Sequence, residues 1–239
     1  MLITSTDNKK IKEVRKLLNK KNNDLFVIEG DHLVKEAIKK RVLKELYILD
    51  GCDTDYDFPY DVLTLKVMKS ISNLVSTPRV LGLSKITSSK DIGNKIVILD
   101  DIQDPGNAGT IIRNCVAFGI DTIIFSKKCV NPYNEKVIRS TQGMIFNINI
   151  IISDLDTAIK EIKSNGIEVV GTSLNTDNGL KNMPKMDKYA IVFGNEGNGI
   201  SNNILNQCDK LYKIEMNDNC ESLNVGVSSG IILYKLFEE

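Results

Sequence analysis

Four short stretches of this chain collect amides, carboxylates, hydroxyls and glycines directly after apolar runs. The first is Asp104-Pro105-Gly106-Asn107-Ala108-Gly109-Thr110-Ile111-Ile112-Arg113. It sets an amide and a guanidinium about the start of a helix, and a guanidinium offers a planar fork for an oxyanion or a phosphate. Gly106 and Gly109 let the backbone bend sharply or approach a ligand. The second stretch is Thr172-Ser173-Leu174. The third, Phe193-Gly194-Asn195-Glu196-Gly197-Asn198-Gly199-Ile200, arranges three glycines around one carboxylate. The fourth runs from Ile214 through the polar segment Asn217–Ser222 into a helix containing Gly226, Ser228, Ser229 and Gly230. Ser222 reads as the N-cap of that helix, with orphan N–H groups behind it that can face a ligand. Glycine costs a helix about 1 kcal/mol relative to alanine, so these small residues predict a close neighbour. A tightly packed C-terminal helix without a ligand is the alternative.

Several chemistries are excluded. The glycine spacing from Gly194 does not fit G-x-G-x-x-G, and the helix that follows is too short for a dinucleotide-binding unit. No Gly-Lys-Ser/Thr follows, so the loop is not a P-loop. The single histidine, His32, lies far from all four stretches, which argues against a Ser/His/Asp hydrolase. The five cysteines are scattered without a CxxC pair, so neither a metal site nor a disulfide framework is expected. They fit a reducing cytosol.

The elements that position these stretches fall into two segments. In the first, Ile11, Val14, Leu17 and Leu18 have helical spacing. Leu25–Ile28 is a short buried strand, closed by Glu29-Gly30. Asp31 caps a helix through Lys40, Val42–Leu49 holds a strand, Val67–Leu74 a helix and Val80–Ile86 a strand. An acidic loop, Asp50 to Asp61, interrupts them. This is a small α/β unit over residues 1–90. A polar linker at about 87–95 leads to the second segment, 95–239. That segment opens with Ile96-Val97-Ile98-Leu99, an unbroken apolar run of the kind found in parallel strands covered on both faces. Asp100–Gly109 reads as a loop and Thr110–Phe118 as a helix. Strands and helices then alternate: Thr122–Phe125, Asn134–Ser140, Phe146–Ile151, Leu155–Lys163, Glu168–Gly171, Tyr189–Phe193, Asn202–Gln207, Lys210–Met216 and the last helix. The expected fold class is α/β with a mostly parallel sheet, and ligands of such sheets sit outside the carboxyl ends of the strands.

Composition is that of an ordinary globular protein, with 42% apolar and 26% charged residues and a formal net charge of zero. No apolar run reaches the length of a membrane span, and Met1–Lys21 lacks the apolar core of a signal peptide. The leading helix is nonetheless basic: Lys9, Lys10, Lys12, Arg15, Lys16, Lys20 and Lys21 face only Asp7 and Glu13. Such a helix can contact phosphates, or be a solvated face.

Taken together, Asn107-x-Gly109-x-x-x-Arg113, Gly194-x-Glu196-x-x-Gly199-Ile200 and Ile214-x-Met216…Ser222-Leu223-Asn224-Val225…Gly230-Ile231 resemble, in order and spacing, the three motifs of the SpoU (TrmH) RNA 2′-O-ribose methyltransferases of the SPOUT superfamily. The leading segment resembles the family's ribosomal-protein-like RNA-binding domain, through Phe26-Val27-Ile28-Glu29-Gly30, Leu33-Val34-x-Glu36-Ala37 and Ser76-Thr77-Pro78. Glu215 stands where the family usually has Pro, and Asp218 where it has Gly. The resemblance implies an S-adenosylmethionine-dependent methyltransferase and a deep trefoil knot in the C-terminal domain, a topology that general connection rules would exclude. It implies a cofactor site at Thr172, Ser173, Leu174, Gly194, Asn195, Glu196, Gly199, Ile214, Met216 and Leu223. The matching catalytic positions are Asn107, Arg113, Glu196, Ser222 and Asn224. Guanidinium essentially never deprotonates, so Arg113 is assigned stabilisation of the developing alkoxide or a hold on a neighbouring phosphate. Glu196 orients Arg113 or accepts a proton, with a loop-fixing salt bridge as its alternative role. Lys9, Lys10, Arg15, Lys16 and Arg113 are expected to contact RNA. No metal is implied. A cytoplasmic homodimer joined through the knotted domain is expected, acting on large-subunit rRNA. A tRNA substrate, or a catalytically silent RNA-binding module, is the alternative.

Overall fold

The computed structural model describes residues 1–19, 24–87, 89 and 91–238. Two compact units, Met1–Thr87 and Ser88–Glu239, divide the chain. Lys20 and Lys21 of the basic run, and Ser88 and Lys90 of the linker, lie outside the described residues.

The first unit contains β1 (Leu2–Ile3), α1 (Lys9–Asn19), β2 (Leu25–Glu29), α2 (Asp31–Lys39), β3 (Leu43–Leu49), β4 (Asp61–Leu63), α3 (Leu65–Lys69) and β5 (Val80–Lys85). Its sheet has the order β1-β4-β3-β5-β2. The β1/β4 and β3/β4 ladders are parallel, while β5 is antiparallel to both β3 and β2. Ile11 and Val14 of α1 and Val67 and Met68 of α3 bury their helical faces against Tyr47, Leu63, Leu81 and Leu83 of the sheet. Two strands escaped the sequence reading. Asp61 ends the expected acidic loop but begins β4, where its carboxylate lies 2.6 Å from Lys10 and 3.2 Å from the amino terminus. The expected helix over Val67–Leu74 is the shorter α3, placed two residues earlier.

The second unit contains β6 (Lys95–Asp100), α4 (Pro105–Ala117), β7 (Thr122–Ser126), α5 (Glu135–Ser140), β8 (Asn149–Ser153), α6 (Leu155–Ser164), β9 (Glu168–Thr172), β10 (Tyr189–Gly194), α7 (Asn202–Leu205), β11 (Lys210–Tyr212) and α8 (Val225–Glu238). All ladders of its sheet are parallel, in the order β11-β9-β10-β6-β7-β8. The unbroken apolar runs of β6 and β10 pair directly, Ile96 with Ala190 through Leu99 with Phe193, and are buried throughout. Both faces of these strands are dry, which is why the sequence shows runs rather than alternation. Strand order advances outward from β6 to β8 on one side and lies at β9, β10 and β11 on the other. The reversal falls between β6 and β10, the place where loops part to admit a ligand.

The expected strand at Phe146–Ile151 is β8, which begins only at Asn149 because Met144–Asn147 forms a 3-10 turn, and two further boundaries bear on the site. α4 starts at Pro105, not Thr110, because Asp104 caps it by accepting from Asn107 N at 2.7 Å and Pro105 takes the first helical position. Asn107 therefore sits in the first turn of a helix and not in a loop. β11 ends at Tyr212, so Ile214 to Met216 is extended loop beyond the strand.

Candidate active site

The loops after β10 and β6 meet because Gly194 stands opposite Asp100 in the parallel ladder. The β10 loop closes tightly: Asn195 N donates to Gly199 O and Gly199 N to Asn195 O, each at 2.9 Å. A Cβ at Gly194 would collide with the backbone of Gly199 and Ile200, and Gly199 itself has φ of 68°. These glycines serve loop closure. Asn195 is consumed the same way, its Oδ1 accepting from Gly197 N and Asn198 N and its Nδ2 donating to Asp101 O at 2.8 Å.

Closure projects Glu196 across to α4. Its carboxylate accepts from Gln103 N at 3.2 Å, Asp104 N at 3.1 Å and Asn107 Nδ2 at 3.1 Å. Burial would raise this carboxyl, but the hydrogen bonds from Asn107 and from backbone N–H groups outweigh it and hold the carboxyl below its ordinary range. A carboxylate so supplied with donors is a fixed charge, poorly suited to accept a proton. No ion pair or hydrogen bond joins Glu196 to Arg113 among the described residues; its carboxylate binds Asn107 and the backbone of Gln103 and Asp104 instead. Arg113 is exposed one turn beyond Gly109, and no described residue pairs with its guanidinium.

Asn107 extends the connection to the third stretch. Asn224 Nδ2 donates to Asn107 Oδ1 at 2.8 Å. Asn224 also caps α8, its Oδ1 accepting from Gly226 N at 2.8 Å and Val227 N at 3.3 Å. The cap is thus Asn224 and not Ser222, which lies exposed in the preceding loop. The small residues of α8 face α4. A Cβ at Gly226 would come within 3.0 Å of Thr110 Cγ2, and one at Gly230 within 3.3 Å of Asn114 Nδ2. Asn114, missed in the sequence, donates to Gly226 O and pairs with Ser229 Oγ, both at 2.9 Å. Asn107, Thr110 and Asn114 follow i, i+3, i+7 spacing, the signal that would have found it. Gly109 faces the other way, against Ser140 and Val137 of α5.

Thr172 and Ser173 stand where the ends of β11, β9 and β10 lie side by side. Thr172 Oγ1 donates to Val192 O at 3.1 Å, and Ser173 N to Tyr212 O at 3.0 Å. Leu174 is 55% exposed, and Ile214, Met216 and Leu223 are half-buried. Leu174 and Ile214, two residues past the ends of β9 and β11 and not buried, suit an adenosine with an apolar base face and a hydrogen-bonding edge. Glu215 folds over Gly179, where a Cβ would strike its carboxylate, and lies 3.8 Å from Lys181. Two thiols of this unit are no nucleophiles: burial pushes Cys208 up to about 11 and Cys115 further still.

The profile of the SpoU rRNA Methylase family matches residues 94–234, and that of the MRM3-like substrate binding domain residues 8–82. The chain belongs to the SpoU rRNA methylase family. Over 98% of both chains, this SpoU methylase is 30% identical to the 23S rRNA (guanosine(2553)-2'-O)-methyltransferase RlmP of Bacillus subtilis. An S-adenosylmethionine-bound rRNA methyltransferase from Sinorhizobium meliloti is similar in structure, with TM-score 0.85 and 25% identity over 99% of this chain and 97% of that one. The SpoU methyltransferase AviRb from Streptomyces viridochromogenes, at 19% identity over 97% of each chain, shares the fold with TM-score 0.83. The protein is an RNA 2′-O-ribose methyltransferase with S-adenosylmethionine as methyl donor. No helix among the described residues is long and apolar enough to cross a membrane.

Proposed function

We propose that this SpoU methylase modifies a ribose 2′-hydroxyl of large-subunit rRNA in the cytoplasm. The carrying observation is the hydrogen-bonded chain Glu196–Asn107–Asn224, which ties the three motif stretches into one site beside the strand reversal. The two-unit layout and the likeness to RlmP along the whole chain support rRNA over tRNA.

In this reading Leu174, Ile214, Met216 and Leu223 hold the adenosine, with the backbone of residues 194–199 beside them. S-adenosylmethionine supplies an electrophilic methyl on a cationic sulfur. The chain's task is alignment, since attack on that methyl is in line. Arg113, with its guanidinium free of described partners, stabilises the charge growing on the ribose oxygen or grips the adjacent phosphate. Glu196 holds Asn107, and Asn107 and Asn224 position the ribose with Ser222. The C-terminal segment is a deep trefoil knot. Supporting that topology, Lys213 N donates to Asn178 O while Leu180 N donates to Lys213 O, so the chain leaving β11 runs against the 178–180 loop before α8 returns to α4.

The enzyme acts as a homodimer through α8. Val227, Ile231, Tyr234 and Phe237 form an exposed apolar stripe on that helix, 38–58% accessible, flanked by Phe118. A second copy covers such a face by two-fold symmetry. The first unit binds the RNA substrate. Mapping 2′-O-methyl positions in rRNA and tRNA from a strain lacking the gene tests the assignment. One missing methyl in 23S rRNA is expected; unchanged rRNA with a missing tRNA methyl would overturn it.

A further inference from the structure

The basic helix α1 is largely occupied by its own fold. Lys10 pairs with Asp61, Lys12 lies 3.0 Å from Asp7, and Arg15 donates to Ser70 O and Oγ and to Thr6 O. Only Lys9 and Lys16 of the expected RNA contacts in α1 stand exposed without a described partner. A different basic cluster in the same unit is unused.

α2 ends at Lys39, followed by Lys40 and by Arg41, whose φ of 58° turns the chain into β3. Lys44 follows, exposed, at a bulge where the β3/β5 register shifts between Leu43 and Glu45. Lys85 is the exposed last residue of β5, and its N–H donates to Val42 O at 2.9 Å. One end of the sheet thus brings Lys40, Arg41, Lys44 and Lys85 together. The Lys85 ammonium beside Lys44 holds Lys44 below the ordinary lysine range. Two nearby carboxylates are engaged, Glu36 at 3.8 Å from Lys39 and Glu45 with the Tyr47 hydroxyl, and Asp24, whose carbonyl accepts from Ile86 N, stands at the same end of the sheet. None of the four cations forms an ion pair with a described carboxylate.

Like charges held together oppose folding unless something else requires them. We propose that Lys40, Arg41, Lys44 and Lys85 form a phosphate-binding patch that grips the sugar-phosphate backbone of the RNA substrate. The patch rests on the rRNA-methyltransferase reading above. Adjacent ammonium groups suit consecutive phosphates, whose condensed counterions they replace. Contacts of this kind set register and orientation without reading sequence.

The test uses the full-length protein and in vitro-transcribed 23S rRNA of Bacillus subtilis in filter binding across a salt series. The Lys44→Gln/Lys85→Gln double variant should bind RNA more weakly. Its slope of log K against log salt should be shallower by about 1.5, at roughly 0.7–0.9 per phosphate contact. Its KM for RNA should rise, its affinity for S-adenosylmethionine should not change, and its Tm should not fall, since a repulsion has been removed. Lys44→Arg/Lys85→Arg should restore the slope. An unchanged slope in the Gln variant, with wild-type protein binding and methylating the transcript, overturns the patch alone. Wild-type protein that neither binds nor methylates any rRNA overturns the patch and the reading beneath it. Loss of binding to phosphatidylglycerol vesicles, with RNA binding intact, would make the cluster a membrane contact and also refute the proposal.

Discussion

Asn224 Nδ2 donates to Asn107 Oδ1 at 2.8 Å, joining residues 117 positions apart. The same Asn107 donates to Glu196 and sits in the first turn of α4, while Asn224 caps α8. Two helix starts and one glycine loop are therefore registered by a single amide. Replacing Asn224 with Ala removes the cap and the tie together. The expected cost is about 1 kcal/mol of stability, in line with lost caps, read by urea unfolding. Methyl transfer should fall on the order of a hundredfold, the scale of small misplacements at a reacting centre. Asn224→Asp keeps the cap oxygen and should recover most of the stability but little of the activity.

Glu196 makes stability depend on pH in acid. Its folded pKa is depressed, so its contribution is fully present above the unfolded value of about 4.3 and is lost as pH falls through the folded value. Urea midpoints of the wild type should drop more steeply below about pH 4.3 than those of Glu196→Gln. Near neutral pH the Gln variant should be the less stable, because an amide cannot accept from all three donors. It should also lose kcat on the order of tenfold through Asn107. Parallel pH curves for the two proteins would remove the carboxylate from this role.

The α8 stripe predicts the assembly state. Tyr234→Lys with Phe237→Glu should convert a dimer to a monomer in sedimentation at micromolar concentration, since both side chains are about half exposed in the single chain. A wild type that sediments as a monomer at that concentration contradicts the assignment.

Residues before Ile92 are predicted to serve RNA and not the cofactor. The second unit has its own dry core, built on β6 and β10. A chain beginning at Ile92 should keep its affinity for S-adenosylmethionine in calorimetry and lose methylation of rRNA. Retained methylation would sink the substrate role of the first unit.

Much of this was legible in residues. The run at Ile96–Leu99 announces a central parallel strand because it is buried on both faces. The start of α4 was misread because Gly106 and Gly109 suggest a loop, although Asp104-Pro105 carries the cap-and-first-turn signature. Gly109 is there for α5 and Gly194 for its own loop, and neither reason can be read without the neighbour. β1 and β4 span two and three residues, too short for any periodicity, and exist only because β3 offers β4 an edge and β4 in turn offers one to β1. The Glu196–Asn107–Asn224 chain was invisible for the same reason. Its members were singled out, but their partners were not, and Glu196 was paired in expectation with Arg113 where the structure gives it Asn107.

Arg113 tests the account most directly. Purified wild-type protein and Arg113→Lys should be compared on in vitro-transcribed 23S rRNA with deuterated-methyl S-adenosylmethionine, reading nucleosides by mass spectrometry and cofactor affinity by calorimetry. The account predicts a single labelled 2′-O-methylnucleoside in the wild type. It predicts a loss on the order of a hundredfold or more in the Lys variant, which keeps the charge but loses the fork, with cofactor affinity unchanged. Label on a base, or an Arg113→Lys protein that methylates at the wild-type rate, would contradict it.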